Sequence, residues 1–477
     1  MNEKYELIMG LETHVRVKSH TKMFCSCANA LELADEPNIN VCPVCMGFPG
    51  MLPTLSAGVV DLAVRAGHAM RWTIQEKSVF DRKSYFYPDL PMWYQITQLY
   101  EPIVMGGEVR AMVEGIVKTF RIHHTHIEND AGKLVHAGGK TLCDYNRAGS
   151  PLMEIVTEPD FRSKADVIGY LEELQKLMRW CGASDADMEK WQLRCDVNIS
   201  VREKWESKFR NRVELKNINS FASIARAIDV EYARQVEIYE TGGTIDQETR
   251  GWSDERGYST PLRSKEDAMD YRYFPDPDLP PLILTHEYIE ERNIGELPMD
   301  RRLKYRDTYK LIEDDARILS SDRLTSDFYE SLVATSGDPK KSCSYITTVL
   351  FAIFEAHHEK IDLSHVKGWA LEIGNVIKLV NADALSSTNS KLVVEKLVFE
   401  WGTAEEWVEK LGLRQSNDTS ALEAIVDQVI VDNASQVAEY KSGKETLFGF
   451  FVGQAMKASK WQGNPKIFTE ILKKKLS

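Results

Sequence analysis

No stretch of this 477-residue chain is apolar for long enough to cross a bilayer. The longest uncharged apolar run, about Thr347 to Phe354, falls well short of the roughly 20 residues a spanning helix needs. The opening MNEKYELIMG carries acids and no apolar core with a small-residue cleavage site, so neither a secretory signal nor a transit peptide is expected. A net charge of −13 removes bulk basicity as a route to nucleic acid. Eight cysteines in so long a chain do not make a disulfide framework. With 43% hydrophobic and 27% charged residues, disorder and fibrous folds are excluded. A cytoplasmic, multidomain protein with no membrane partner is the expectation.

Several motifs are also missing. GKLVHAGGKT imitates a phosphate-binding P-loop, but the pattern needs glycine where Leu134 stands, and Gly132 comes two residues too early. There is no G-x-S-x-G elbow, no H-E-x-x-H and no serine–lysine amidase signature. A chain of this kind working on amides would have to obtain its glutaminase elsewhere.

Texture divides the sequence in three. Residues 1–290 alternate in short, strand-like periods and hold most of the prolines. Two helices are predicted there. SKADVIGYLEELQKLMRWCG has Ser163 as N-cap, Asp166 three residues on and Gly182 as its stop. SFASIARAIDVEYARQVEIYETGG begins at Ser220 and ends at Gly242 and Gly243. Residues 291–410 follow the 3.6-residue period with little proline. Residues 411–477 read as short amphipathic helices, and from Lys441 onward carry eight lysines against Glu445 and Glu470. DRKSYFYPDLP at 81–91 returns as MDYRYFPDPDLPP at 269–281, a repeated turn idiom whose aromatics are expected mostly to pack rather than to stack on bases.

Cysteine spacing is the first chemical signal. Cys25 and Cys27, then Cys42 and Cys45, form two pairs separated by fourteen residues, a two-knuckle zinc spacing with one pair tighter than usual. A redox pair or unliganded thiols is the alternative. No activated water ligand is evident, so the metal would be structural. Cys143, Cys181, Cys195 and Cys343 read as small buried hydrophobes.

Acidic strand faces are the second. Alternation puts Glu12, His14 and Arg16 on one face, and His124, His126, Glu128 and Asp130 on another. Arg194, Asp196, Asn198 and Ser200 share a face, as do Arg212, Glu214 and Lys216. One such strand alone reads first as a solvated surface. Glu154 does not, because it interrupts the apolar run PLMEIV, where a carboxylate must be neutralised or paired. Carboxylates and an imidazole converging on a cavity repel unless a hard cation binds, and Mg²⁺ takes a few carboxylates together with substrate phosphates. The pattern points to nucleotide-dependent phosphoryl transfer on a sheet, with Arg82, Lys83, Arg147 and Lys216 among the cations placed to clamp phosphates.

GLETHV, NVCPVCMGFPGMLP, DRKSYFYPDLPMWYQITQ, HIENDAGK, DYNRAGSPLMEIVTEPD, WQLRCDVNISV, VELKNINSF, QETRGW and RSKEDAMDYRYFPDPDLPPL follow one another through the first 280 residues. Together they closely resemble the B subunit of the glutamyl-/aspartyl-tRNA amidotransferases. AEYKSGKETLFGFFVGQAMKASKWQGNPKIFTEILKKKL resembles the tRNA-binding tail module of the same family. The resemblance implies an α+β fold: an N-terminal cradle domain with a glutamine-synthetase-like sheet (1–290, zinc knuckle at 25–45), a helical domain (291–410) and a small all-α tail domain (411–477). It implies partnership with the glutaminase or amidase (A) subunit, with the small bridging (C) subunit, and with mischarged tRNA. ATP would phosphorylate the side-chain carboxylate of Glu or Asp mischarged on that tRNA, and ammonia from glutamine would displace the phosphate.

Matched position by position, the resemblance puts Mg²⁺ and phosphoryl transfer on Glu12, His14, Glu128, Glu154 and Asp196, with Asp130 a further candidate. Arg82, Lys83, Arg147 and Lys216 would hold ATP or the tRNA terminus, and Cys25, Cys27, Cys42 and Cys45 would hold zinc. Lys441, Lys444, Lys457 and Lys460 would grip the tRNA. The family commonly has two adjacent acids where this chain has Glu128 and Asn129, so a neutral Asn129 ligand and a weaker metal site are expected if the second acid is a ligand. Two other readings stand beside it: a non-catalytic tRNA-binding adaptor on the same scaffold, and a free-standing carboxylate–amine ligase.

Overall fold

The computed structural model describes residues 3–29, 36–263, 270–357, 366–459 and 462–476. The chain forms two compact units, Met1–Asp300 and Arg301–Ser477.

The first unit is organised around a ten-stranded sheet. Five strands matter for the chemistry: β1 (Tyr5–Arg16), β2 (Ile116–Asn129), β3 (Pro151–Thr157), β4 (Leu193–Glu203) and β5 (Val213–Lys216). They lie in the order β5, β4, β1, β3, β2, all antiparallel. Beyond β5 run Glu248–Ser253, paired parallel to it, and Tyr258–Arg263. Alternation sorts the two faces. Leu7, Met9, Leu11 and Val15 of β1 share a buried core with Ile127, Met153, Ile155, Cys195, Val197 and Ile199. Two helices complete that core, α1 (Lys164–Trp180) through Tyr170, Leu171 and Leu174, and α2 (Phe221–Glu240) through Ile224 and Ile228. Each such side chain taken from water contributes about 1.5–3 kcal/mol.

Both helices start as their sequences dictate. The Ser163 hydroxyl accepts from the Asp166 amide at 3.1 Å while the Asp166 carboxylate accepts from the Ser163 amide at 3.0 Å, a reciprocal cap. Gly182, at φ +75°, follows the end of α1 in the left-handed region that stops a helix. Ser220 caps α2 by accepting from the Ser223 amide at 3.1 Å.

The two aromatic idioms turn out to be partners. Asp81–Ser84 pairs with Tyr94–Thr97 on one side and Phe274–Pro275 on the other, with Arg82 opposite Phe274. Tyr85 and Tyr271 meet edge to face across them at 6.0 Å. Phe86, Tyr87 and Trp93, on the loop beyond the paired strands, are exposed, although Phe86 and Trp93 meet edge to face at 5.2 Å.

The second unit is helical and has two cores. One draws on residues from Tyr305 to Val408, including Phe328, Ile373 and Val393. The other draws on Leu422, Val426, Phe451, Phe468 and Leu472. Leu413 packs on the former core, and the Gln415 amide donates to the Ala384 carbonyl at 2.8 Å. Among the described residues no helix is long and apolar enough to cross a membrane. Cys181, Cys195 and Cys343 are buried as expected, but Cys143 is only half-buried, on an edge hairpin with one open side.

Candidate active site

Strand register assembles the site. β1 sets His14 opposite Glu154 of β3 and opposite Arg194 of β4, while Glu154 lies opposite His126 of β2. All project from the face opposite the apolar core. His14 Nε2 lies 3.2 Å from Glu154 Oε2 and 3.8 Å from Glu128 Oε1. His126 Nε2 lies 3.2 Å from Glu154 Oε2 and 3.5 Å from Glu128 Oε2. The Thr97 hydroxyl donates to Glu128 Oε2 at 3.2 Å. One ligand atom each from His14, Glu128 and Glu154 lies within 4.8 Å of the other two. Two carboxylates and one imidazole form a hard, anionic donor set that fits Mg²⁺.

These charges hold one another. Burial alone would raise the Glu154 carboxyl, but His126 and His14 pull it well below the usual carboxylate range. Glu128 is likewise lowered, against burial, by His126 and Lys83. Burial would depress both imidazoles, yet Glu154 and Glu128 raise His14 and push His126 up to about 10. His124 is lowered to about 4 by burial and by its neighbours His126 and His123.

Glu12 and Asp196 belong to a neighbouring cluster rather than to this triad. Glu12 accepts from Asn198 Nδ2 at 2.9 Å, and its carboxyl is raised by burial and by repulsion from Glu154 and Glu214. Asp196 is paired with Lys216, whose ammonium also lies 2.9 Å from Glu214 Oε1. The Lys216 ammonium is raised by these two acids despite burial.

The other cations differ in how far they are committed. Arg82 donates to Asp276 at 2.8 Å and to Asp278 at 2.7 Å and lies over the Tyr94 ring. Arg147 donates to the carbonyls of Ala131 and Gly132 and lies 3.4 Å from Asp130. The Lys83 ammonium makes no hydrogen bond or ion pair among the described residues; it stands 4.9 Å over the Tyr271 ring. Against burial, Glu128, Tyr273 and Glu154 raise its ammonium. It is a cation that feels the acid pair and is ion-paired with neither.

Asn129 is not placed as a ligand. Its Oδ1 accepts from the Ile96 amide at 2.7 Å, and its carbonyl accepts from Gln95 Nε2 at 3.0 Å. Alternation turns it away from Glu128, so its neutral oxygen is committed to the neighbouring strand. Asp130 is shared by Arg147 and Arg194, each at 3.4 Å. His126 is the residue the sequence did not single out. The alternation grouped it with Glu128, but only register puts it beside Glu154 and leaves His124 outside.

The cysteine pairs do converge. Cys25, Cys27, Cys42 and Cys45 present sulfurs all within 4.8 Å of one another, a donor set that suits a soft tetrahedral metal such as zinc. The Cys42 amide donates to Cys45 Sγ at 3.2 Å. Cys45 is the acidic member, lowered to about 5 by its hydrogen bond with Cys25, the Cys42 amide and Lys22, against burial. Of the tail lysines, Lys441 and Lys457 are exposed and Lys444 pairs with Glu439 at 2.8 Å. Lys460 lies outside the described residues.

Comparison with known proteins follows the same division of the chain. Residues 7–290 match the GatB/GatE catalytic domain family, and residues 327–476 match the GatB domain family. The aspartyl/glutamyl-tRNA(Asn/Gln) amidotransferase B subunit of Persephonella marina is 44% identical, covering 99% of this chain and 100% of that protein. The protein of the same name from Gloeothece citriformis is 42% identical, covering 99% and 98%; that from Syntrophotalea carbinolica is 41% identical and matches both chains end to end. A sheet face bearing His14, Glu128 and Glu154, a four-cysteine knuckle and this full-length similarity lead to one assignment: the chain belongs to the family of aspartyl/glutamyl-tRNA(Asn/Gln) amidotransferase B subunits.

Proposed function

We propose that this chain is the B subunit of a three-subunit, glutamine-dependent carbon–nitrogen ligase. It phosphorylates the side-chain carboxylate of Glu-tRNA(Gln) or Asp-tRNA(Asn) with ATP and replaces the phosphate with ammonia. The observation that carries the reading is the convergence of His14, Glu128 and Glu154 on one sheet face, with Lys83 uncommitted beside them. The 1–290 region serves as the cradle, 291–410 as a helical spacer and 411–477 as the tail that grips tRNA in the cytoplasm through Lys441, Lys444, Lys457 and Lys460.

The chemistry follows from charge. A carboxylate is a poor acyl donor because oxide would have to leave; phosphorylation substitutes a phosphate leaving group. The two reactants, the γ-phosphate and the carboxylate, are both anions; His14, Glu128 and Glu154 would hold Mg²⁺, which would supply neutralising charge when bound. His126 fixes both carboxylates of that set from behind. Lys83 meets charge that builds on the transferred phosphoryl group. Lys216 releases Asp196 or Glu214 to bind a second phosphate oxygen, and Glu12, its carboxyl raised by burial and by Glu154 and Glu214, lies between the two acid clusters to meet the substrate carboxylate. Arg82 and Arg147 shape the rim while paired with their own acids. The four cysteines would hold a structural zinc ion. The amidase (A) subunit supplies ammonia, and the bridging (C) subunit joins the two.

The test is the assembled complex with glutamine, ATP and Mg²⁺, given Glu-tRNA and Asp-tRNA in turn. Conversion of either establishes the reaction and names the substrate. Tight tRNA binding with no ATP turnover on either would favour the adaptor, and ATP turnover indifferent to tRNA would favour a small-molecule ligase.

A further inference from the structure

Lys22 is fully buried, 0% exposed, and no carboxylate pairs with it among the described residues. Its ammonium donates to the Asn40 carbonyl at 2.8 Å and lies 3.8 Å from Cys45 Sγ. A buried ammonium with one neutral acceptor is costly unless negative charge lies close by. The nearest source is the cysteine cluster. Four thiolates around a divalent ion leave that site with two excess negative charges, in a place where three of the sulfurs are half-buried and Cys45 is buried. Each charge therefore answers the other.

We propose that Lys22 is the built-in counter-ion of a metal tetrathiolate at Cys25, Cys27, Cys42 and Cys45, and that it sets the affinity of that site for its metal. This deepens the reading of the cluster as a zinc site and rests on it. Lys22 occupies the turn between β1 and the first cysteine pair, with its amide bonded to the Cys27 carbonyl at 2.9 Å, so the counter-ion and two of the ligands move as one piece. Its aliphatic stem runs beneath Gly149, where an added Cβ would lie 3.5 Å from Lys22 Cδ and 3.3 Å from Cys45 Cβ. Gly149 has a φ of +86° and its carbonyl accepts from the Met23 amide at 2.8 Å. Lys22 thus spans the space between the thiolates and the loop that leads into β3.

The experiment uses the full chain loaded with zinc. Lys22→Met keeps the stem and removes the charge. Competition with a chromophoric chelator is expected to show zinc affinity reduced about 10- to 100-fold, the range seen when an outer-shell partner is lost, while far-ultraviolet circular dichroism is unchanged. Cobalt substituted for zinc is expected to retain its tetrahedral thiolate spectrum in the variant, which separates weaker binding from loss of the ligand set. Unchanged zinc affinity in folded Lys22→Met overturns the proposal. If wild type itself gives no thiolate–cobalt spectrum, the zinc-site reading fails first. Should Lys22→Met not fold, the wild-type chain decides. Amine acylation followed by peptide mass spectrometry is expected to spare Lys22 in the zinc-loaded chain and to reach it after chelation, with Lys77 and Lys164 labelled equally in both. Equal labelling of Lys22 in the two states overturns it.

Discussion

Replacing Glu154 with glutamine keeps the shape of the site and removes the charge between its two histidines. Glu154 Oε2 lies 3.2 Å from both His14 and His126, and charge-assisted hydrogen bonds contribute about 1.5–3 kcal/mol each, so the gross loss is about 3–6 kcal/mol. Two effects offset part of it. Glu128, 3.5 Å from His126, keeps one partner, and repulsion of Glu154 on Glu128 and Glu12 disappears. The depressed carboxyl of Glu154 decides the sign, because its histidine contacts outweigh burial and repulsion together. A net destabilisation of about 2–4 kcal/mol is expected in magnesium-free buffer that leaves the cysteine metal in place. The pH window follows from the shifts. His126, raised to about 10, contributes stability that is complete below its unfolded value near 6.5 and lost as pH rises through about 10. Glu154, depressed, contributes stability present above about 4.3 and lost as pH falls through its folded value. The wild-type advantage should peak between these limits and fade above pH 10. Denaturant unfolding of both chains at pH 6 and pH 10 measures it. In the assembled complex the same variant should lose about 10²–10³-fold in transamidation with tRNA affinity unchanged. Equal stabilities at pH 6, or a parallel loss of tRNA binding, would refute the reasoning.

Lys83→Met should lower kcat for ATP-dependent turnover about 10²-fold and spare tRNA binding, since among the described residues the Lys83 ammonium has no ion pair to release and only the Tyr271 ring beneath it; an unchanged kcat in steady-state assays would remove it from phosphoryl transfer. Asn129→Ala should cost about 1–3 kcal/mol by stranding the Ile96 amide, while Asn129→Asp should leave Mg²⁺ affinity unchanged in calorimetry. A gain in affinity would show that an acid there reaches the metal. Removing residues 418–477 should weaken tRNA binding by filter assay far more than it affects glutaminase activity of the complex. Cutting earlier would strip Leu413 from the helical core, so a truncation at 411 is expected to unfold at lower temperature than one at 418.

Much of the fold was legible because local rules and tertiary demands agree. The Ser163–Asp166 cap, the Gly182 stop and the Ser220 start are contacts within a few residues, and each appears as read. The polar and apolar faces of β1 and β4 followed from alternation alone. What spacing could not supply was register. Nothing in PLMEIV says that Glu154 faces His14 on one side and His126 on the other; that depends on which strands become neighbours. The same limit explains Asn129, whose side chain is committed to Ile96, more than thirty residues away. It also explains Lys22, an ordinary lysine in sequence that the fold buries against Asn40 and Cys45, about twenty residues further on.

Register also separates two ways of neutralising acids on one sheet. Around Asp196 and Glu214 the cation is Lys216, tethered to the chain and always present. Around Glu128 and Glu154 the contacting cationic groups among the described residues are imidazoles, His126 and His14; His14 offers a lone pair once it gives up its proton, and Lys83 makes no ion pair with either acid. A tethered lysine excludes an exchangeable ion, whereas an imidazole can surrender a proton to one. On the proposed function, the histidine-flanked acid cluster is the one that would take Mg²⁺, and the lysine-bridged one would meet a phosphate through Lys216. Glu12 stands between the two on β1, hydrogen-bonded to Asn198, its carboxyl raised by burial and then by acids on both sides. On this division, Lys216→Met should let a second divalent ion bind among Glu12, Asp196 and Glu214. Calorimetric titration of the variant with Mn²⁺ should then reveal one more site than in wild type, and equal stoichiometries would refute it.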